Sequence, residues 1–76
     1  MNNNRFTNYL LDLGLLVKEK ARQSRAINSQ NSDAYNAGYL MAWHEIVSLM
    51  QLQCEQFGIE LSSVGLDGID PERDLL

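Results

Sequence analysis

Apolar residues in the middle of the chain recur at alternating intervals of three and four. They are Leu40, Trp43, Val47, Met50, Cys54 and Phe57. Residues at this spacing lie on one face of an α-helix. The pattern therefore predicts a long helix over residues 33–57. Ser32 or Asp33 would cap its start, and Gly58 suits the left-handed position that follows a helix end.

The same helix carries a second apolar stripe beside the first. Its members are Tyr35, Tyr39, Ala42, Ile46 and Leu49. Two apolar faces exceed what one neighbouring helix covers, so we expect contacts with helix one of the same chain and with helices of another chain. We interpret the aromatic series Tyr35, Tyr39 and Trp43 as core, including core shared between subunits, with a recognition edge as the alternative.

A first helix is predicted over residues 4–27, with Asn4 or Thr7 as its cap. Its apolar stripe consists of Phe6, Tyr9, Leu10, Leu13, Leu16, Val17, Ala21 and Ile27. Leu11 and Leu15 lie outside this stripe, which indicates that this half of the helix is contacted from more than one direction. Gly14 costs about 1 kcal/mol in a helix relative to alanine, and the usual compensation is close approach of a neighbouring helix.

Between the helices, residues 28–32 read Asn, Ser, Gln, Asn and Ser. Such residues compete with the helical backbone for hydrogen bonds and favour turns. The short loop predicts that the two helices lie antiparallel. In the tail, residues 58–76, aliphatic residues alternate irregularly with acids, and the run Asp70, Pro71, Glu72 predicts a short helical turn. We expect this tail to cover apolar surface of its own or a partner's bundle, with a disordered tail as the alternative.

These elements predict a single all-α domain over residues 1–76, an antiparallel two-helix hairpin with an apolar and acidic C-terminal tail. A domain of this length has a narrow stability margin, and its single cysteine, Cys54, provides no internal disulfide. We interpret Cys54 as a small buried hydrophobe. Self-association is the remaining common source of stability, so we expect two copies to form a four-helix bundle. The predicted interface residues are Leu11, Leu15, Tyr35, Tyr39, Leu40, Trp43, Ile46, Val47, Met50 and Phe57.

Charge is distributed unevenly along the chain. The net charge is −4, of which residues 1–30 carry +3 and residues 31–76 carry −7. The two segments can pair within the hairpin or between chains; ordinary solvated faces are the alternative. The cations between Lys18 and Arg25 lack interleaved aromatic residues, so no nucleic-acid partner is predicted.

Known motifs for metal sites match only in part. His44 and Glu45 begin the zinc-protease pattern HExxH, but Ser48 stands where the second histidine ligand belongs. Aligning Gly68 with the glycine of a calcium-binding EF-hand loop puts Ser63 at a position that needs an acid. The sequence therefore predicts no catalytic site, no cofactor and no metal, and we expect a protein that is not an enzyme.

The apolar run over residues 9–17 is interrupted by Asp12 and lacks the features of a signal peptide. It is also shorter than the roughly 20 residues that span a bilayer, so we expect a cytoplasmic protein without a membrane partner. The function predicted is a non-enzymatic interaction or regulatory module, a homo-oligomer with a second protein as a further partner. One alternative is a small acidic inhibitor, immunity or chaperone-type protein that masks a partner's site. Another is a ligand-binding or catalytic site between subunits that uses His44, Glu45 and Cys54.

Overall fold

The computed structural model describes the chain from residue 3 to residue 76, with side chains from residue 4 onward. Helix α1 spans Asn3–Gln30 and helix α2 spans Ala34–Phe57; a 3₁₀ helix, Leu61–Val64, and a short helix α3, Pro71–Asp74, follow. This part of the chain contains no strand. The predicted all-α hairpin is confirmed, since the two long helices pack against each other. Within residues 3–76, no helix combines the length and the apolar character that a membrane crossing requires.

The turn between the helices is shorter than predicted. Helix α1 continues to Gln30, and only residues 31–33 lie outside a helix. The Ser29 hydroxyl donates to the carbonyls of Arg25 and Ala26, at 3.1 and 3.0 Å. Its hydrogen bonds are therefore made within α1 and not within a turn. At the other end, Asn4 and Thr7 lie inside α1 and not at its cap.

Both ends of α2 form as the sequence predicts. The Asp33 carboxylate accepts a hydrogen bond of 2.8 Å from the Asn36 N–H, which is the geometry of an N-cap. At the other end Gly58 adopts the left-handed conformation, with φ 67°, and the Ile59 N–H donates to the Cys54 carbonyl at 2.8 Å. This arrangement ends the helix and turns the chain back along it.

The tail docks on the hairpin of its own chain. Leu66, Ile69 and Leu75 are buried, and with Val64 they complete the hydrophobic core. One cluster joins Ala21, Leu40, Val47, Ile69 and Leu75, and an adjoining one joins Cys54, Val64 and Leu66. The expected covering role of the tail and the burial of Cys54 are thereby confirmed within one chain.

Two glycines allow the tail and α1 to touch through their backbones. Gly14 is buried, and a Cβ atom added to it would lie 1.6 Å from the Val64 carbonyl oxygen. Gly65 has φ 71°, and a Cβ added there would lie 2.8 Å from the Leu15 nitrogen. The neighbouring helix that approaches Gly14 closely is therefore the 3₁₀ helix of the tail. A side chain at Gly14 or Gly65 would force the two backbones apart.

Side chains of the hairpin hold the irregular backbone of the tail. The Gln51 amide donates to the carbonyls of Leu66 and Ile69, at 3.1 and 2.9 Å. From the other helix, the Arg22 guanidinium donates to the Gly68 carbonyl at 3.0 Å. These bonds satisfy three carbonyl groups that have no helical partner where the tail lies against the core.

Candidate interaction surface

Each long helix carries two neighbouring rows of residues spaced by three and four, and only one row is covered by the chain itself. The covered row consists of Gly14, Val17, Ala21, Ser24 and Asn28 in α1 and of Leu40, Trp43, Val47, Met50 and Cys54 in α2. All of these residues are buried or partly buried. This row forms the contact between the helices and the floor on which the tail lies.

The second row precedes the covered row by one residue in both helices. Lys20 and Gln23 in α1 and Gln53 in α2 are the polar members of this row. Its apolar members are Phe6, Tyr9, Leu13, Leu16 and Ile27 in α1 and Tyr35, Tyr39, Ala42, Ile46 and Leu49 in α2. We call these residues the open face. Leu13 is partly buried, and the others are exposed, from 39% for Ile46 to 76% for Tyr35 among the large side chains.

Both halves of the open face lie on the same side of the hairpin. Successive residues of an α-helix are rotated by about 100°, so a row displaced by one residue lies about 100° around the helix. The displacement has the same direction in α1 and α2. Because the short turn makes the helices antiparallel, equal displacements put the two rows on one side. The open face is therefore a single apolar surface made by two helices.

The tail occupies the opposite side, which the residues following the covered row form. Besides Arg22 and Gln51, these residues include Lys18, whose ammonium lies 3.7 Å from the Asp67 carboxylate. His44 belongs to them too, and its Nε2 lies 2.9 Å from an oxygen of Glu72. One ion pair, Lys18 with Asp67, thus joins the basic segment to the acidic tail within the chain.

The predicted interface residues divide among several locations. Tyr35, Tyr39 and Ile46 lie on the open face, and Phe57 is exposed at the end of α2. Leu40 and Val47 are buried in the core of the chain itself.

Between these groups, Trp43 and Met50 are partly buried, at the border of the core with the open face. Leu11 and Leu15 lie beside Gly65 on the tail side and keep exposed surface. The sequence indicates that this half of α1 is contacted from more than one direction, and the tail is its second neighbour.

The predicted interface residues leave out the α1 half of the open face, namely Phe6, Tyr9, Leu13, Leu16 and Ile27, and also Ala42 and Leu49, which the second stripe of α2 contains. The signal that identifies them is the displacement of one residue between two rows of the same spacing, present in both helices. Either row alone is consistent with a core. The two rows together show that each helix has more apolar surface than one hairpin contact can cover.

An aromatic series connects the core to the open face. The rings of Tyr35 and Tyr39 are stacked, with centroids 6.2 Å apart, and Tyr39 meets Trp43 edge to face at 6.3 Å. Trp43 packs against the cluster around Leu40 and Val47. The series therefore runs from the buried core to Tyr35, whose side chain is exposed. Tyrosine is enriched at protein interfaces.

The residues proposed for a site between subunits do not form a cluster within the chain. His44 is turned to the tail and bonded to Glu72, whereas Glu45 follows it by about 100° of helix rotation and is exposed. Cys54 is buried in the core. Among the described residues, no three His, Cys, Asp or Glu side chains are grouped so that they could hold a metal ion.

The end of the tail contains one perturbed ion pair. The Arg73 guanidinium donates two hydrogen bonds to the Asp74 carboxylate, at 2.8 and 2.7 Å. These bonds, together with one from the Asp70 N–H, hold the pKa of Asp74 well below its usual range. The same pairing raises the pKa of Arg73. The Asp70 carboxylate caps α3 by accepting a hydrogen bond from the Glu72 N–H at 3.0 Å. The charged groups at the end of the tail therefore stabilise this short helix.

Comparison of the chain with protein-family models, with curated proteins and with solved structures found no match.

Proposed function

We propose that the protein is a non-enzymatic helical interaction module that acts as a homo-oligomer and presents its remaining surface to a second protein. The observation that carries this proposal is the open face, an apolar surface built by two helices and left uncovered by the chain. Exposed apolar patches of this extent are typical of interaction sites in soluble proteins.

The chemistry of the open face favours a helical partner. An irregular segment brings unpaired N–H and C=O groups, which need side-chain partners such as those that Arg22 and Gln51 give the tail. A helix satisfies its backbone internally, so it can pack on an apolar row without such partners. Hydrocarbon side chains such as Leu16, Ile46 and Leu49 offer no hydrogen bonds at all.

A second copy of the chain has the matching surface. Its open face also consists of two antiparallel helices with apolar residues at intervals of three and four, the spacing by which helices interlock in four-helix bundles. Two hairpins facing each other in this way would bury both open faces at once. The tails would remain on the two outer sides, available to other proteins.

Light scattering at micromolar concentration tests the proposal, and we expect at least twice the chain mass of 8.6 kDa. In a double variant, Leu16→Lys with Leu49→Lys, two charges enter the open face at side chains that are 50% and 59% exposed in the single chain. We expect this variant to be a folded monomer with unchanged helical circular dichroism.

The matched control is Met41→Lys, at a side chain that is 47% exposed but lies outside the open face. This variant should keep the mass of the native assembly. A native protein that stays monomeric at high concentration would contradict the proposal, as would equal dissociation by Met41→Lys.

A further inference from the structure

A groove runs between α2 and the tail, on the side of the molecule away from the open face. Its volume is about 520 Å³, and it opens to solvent. The side chains that determine its character are Leu52, Ile59, Leu61, Glu55, Asp70 and Glu72. Leu52 of α2 and Ile59 at the start of the tail are both exposed, so the docked tail leaves part of this apolar surface uncovered.

The charges around the groove have one sign. Three carboxylates, those of Glu55, Asp70 and Glu72, line it, and none of the lining residues is a lysine or arginine. Glu72 is bonded to His44, and Asp70 caps α3. Within residues 4–76, the Glu55 side chain has no hydrogen-bond or ion-pair partner. An apolar floor bordered by carboxylates is complementary to aliphatic side chains flanked by cations.

Self-association through the open face leaves this groove uncovered. Leu52 lies three residues after Leu49 and six after Ile46, so it is rotated around α2 by about 60° from Leu49 and about 120° from Ile46, toward the tail. Two cations of the chain's own α1, Lys18 and Arg22, hold the opposite margin of the tail, so they are not placed to fill the groove.

We propose that the groove binds a basic amphipathic segment of another protein, in which one or two aliphatic side chains are flanked by lysine or arginine. The aliphatic groups lie on Leu52, Ile59 and Leu61. The cations meet the carboxylates of Glu55, Asp70 and Glu72 at the margins. This surface is separate from the open face, so the inference does not depend on the proposed self-association.

The probe for this site is a fluorescein-labelled helical peptide with leucine on one face and lysine on the other. Binding is followed by fluorescence anisotropy at about 50 mM salt, where surface charges are weakly screened. We expect saturable binding that weakens as salt is raised, and none with a control peptide in which glutamate replaces each lysine. The same titration on the Leu16→Lys, Leu49→Lys double variant should give the same affinity, which separates this site from the open face.

Charge reversal in the protein locates the site. Glu55→Lys should weaken peptide binding about fivefold or more, since it replaces an attraction at the groove by a repulsion. The matched variant Glu45→Lys makes the same change on an exposed residue of the same helix outside the groove, and affinity should stay within about twofold of the native value. Amide chemical shifts of the native protein should move around Leu52, Ile59 and Leu61 when peptide is added.

Three outcomes would overturn the inference. They are equal weakening by Glu55→Lys and Glu45→Lys, peptide-induced shifts confined to the open face, and absence of saturable binding at low salt. Concentration-dependent shifts at the groove without peptide would also overturn it, because they would identify a second copy as the occupant.

Discussion

The two sides of the hairpin are made by the same two helices, yet the chain closes one side and leaves the other open. The closed side follows the covered row by one residue and contains two cations, a histidine and an amide that contact the tail. The open side precedes that row by one residue and consists mainly of hydrocarbon and aromatic side chains. A displacement of two positions in the sequence thus separates a surface that suits an irregular segment from one that suits helices.

Hydrogen bonding explains the difference better than hydrophobicity does. Both sides offer apolar area, but only the closed side offers the donors of Arg22 and Gln51, which irregular carbonyls such as those of Gly68 and Ile69 require. Buried carbonyls left without such donors cost about 1 to 3 kcal/mol each. The tail therefore docks where its carbonyl groups find hydrogen-bond donors. The open side suits a partner whose backbone groups already bond to one another, as they do in a helix.

The largest expected effect comes from the backbone contact on the closed side. In Gly14→Ala, the added Cβ would meet the Val64 carbonyl oxygen at 1.6 Å, so the tail has to move away from α1. We expect a loss of about 3 kcal/mol or more in the free energy of unfolding, measured by urea denaturation.

The matched control for that change is Gly38→Ala in α2, where an added Cβ has no atom within 4 Å. There we expect a gain of about 0.5 to 1 kcal/mol, since alanine has the higher helix propensity. Effects of the same sign at the two glycines would contradict the close contact of the tail with α1.

A second pair of variants compares a leucine from each side. Leu66, a residue of the tail, is fully buried against the closed side, and Leu66→Ala should lower the free energy of unfolding by about 3 kcal/mol at every protein concentration. Leu49 is 59% exposed, so Leu49→Ala should lower the free energy of unfolding only at concentrations at which the protein is assembled. Thermal unfolding at several concentrations measures both. A concentration-independent loss from Leu49→Ala would show that the open face contributes to the single chain alone.

How far the sequence predicts this arrangement depends on the range of the interaction. Asp33 and Gly58 identify the ends of α2 because a cap acts within a few residues of itself. The sequence prediction ended α1 at residue 27, whereas the helix continues to Gln30. A serine hydroxyl can bond to carbonyls of its own helix, as Ser29 does, or to backbone groups of a turn, so the residue type alone does not decide between helix and turn.

The closed and open sides were harder to assign from spacing. A periodic row shows which residues share a face, but it does not show whether that face meets its own chain or another. The row with Leu40 and Val47 was therefore predicted as an interface, although the chain buries both residues itself. The contact of Gly14 with Gly65 joins residues far apart in the sequence, and no local pattern pairs them.

The smallest expected effect concerns the charges at the end of the tail. Because the hydrogen bonds from Arg73 lower the pKa of Asp74, the ionised carboxylate favours the folded tail. Its contribution is complete above the usual value of 3.8 and is lost only as the pH falls further, through the lowered pKa of the folded protein. Between pH 7 and pH 5 this pair should therefore leave the docking of the tail unchanged, and loosening should begin below about pH 4.

An NMR titration of the Asp74 carboxyl carbon measures this directly. Arg73→Gln removes the two side-chain bonds, so the pKa of Asp74 should rise toward its usual value while the bond from the Asp70 N–H keeps it from returning fully. Arg5→Gln, the matched loss of one arginine from α1, should leave the pKa of Asp74 unchanged. If Arg73→Gln does not move that titration, the ion pair does not hold the end of the tail. The closed side would then rest on the glycine contact, the buried leucines and the donors of Arg22 and Gln51 alone.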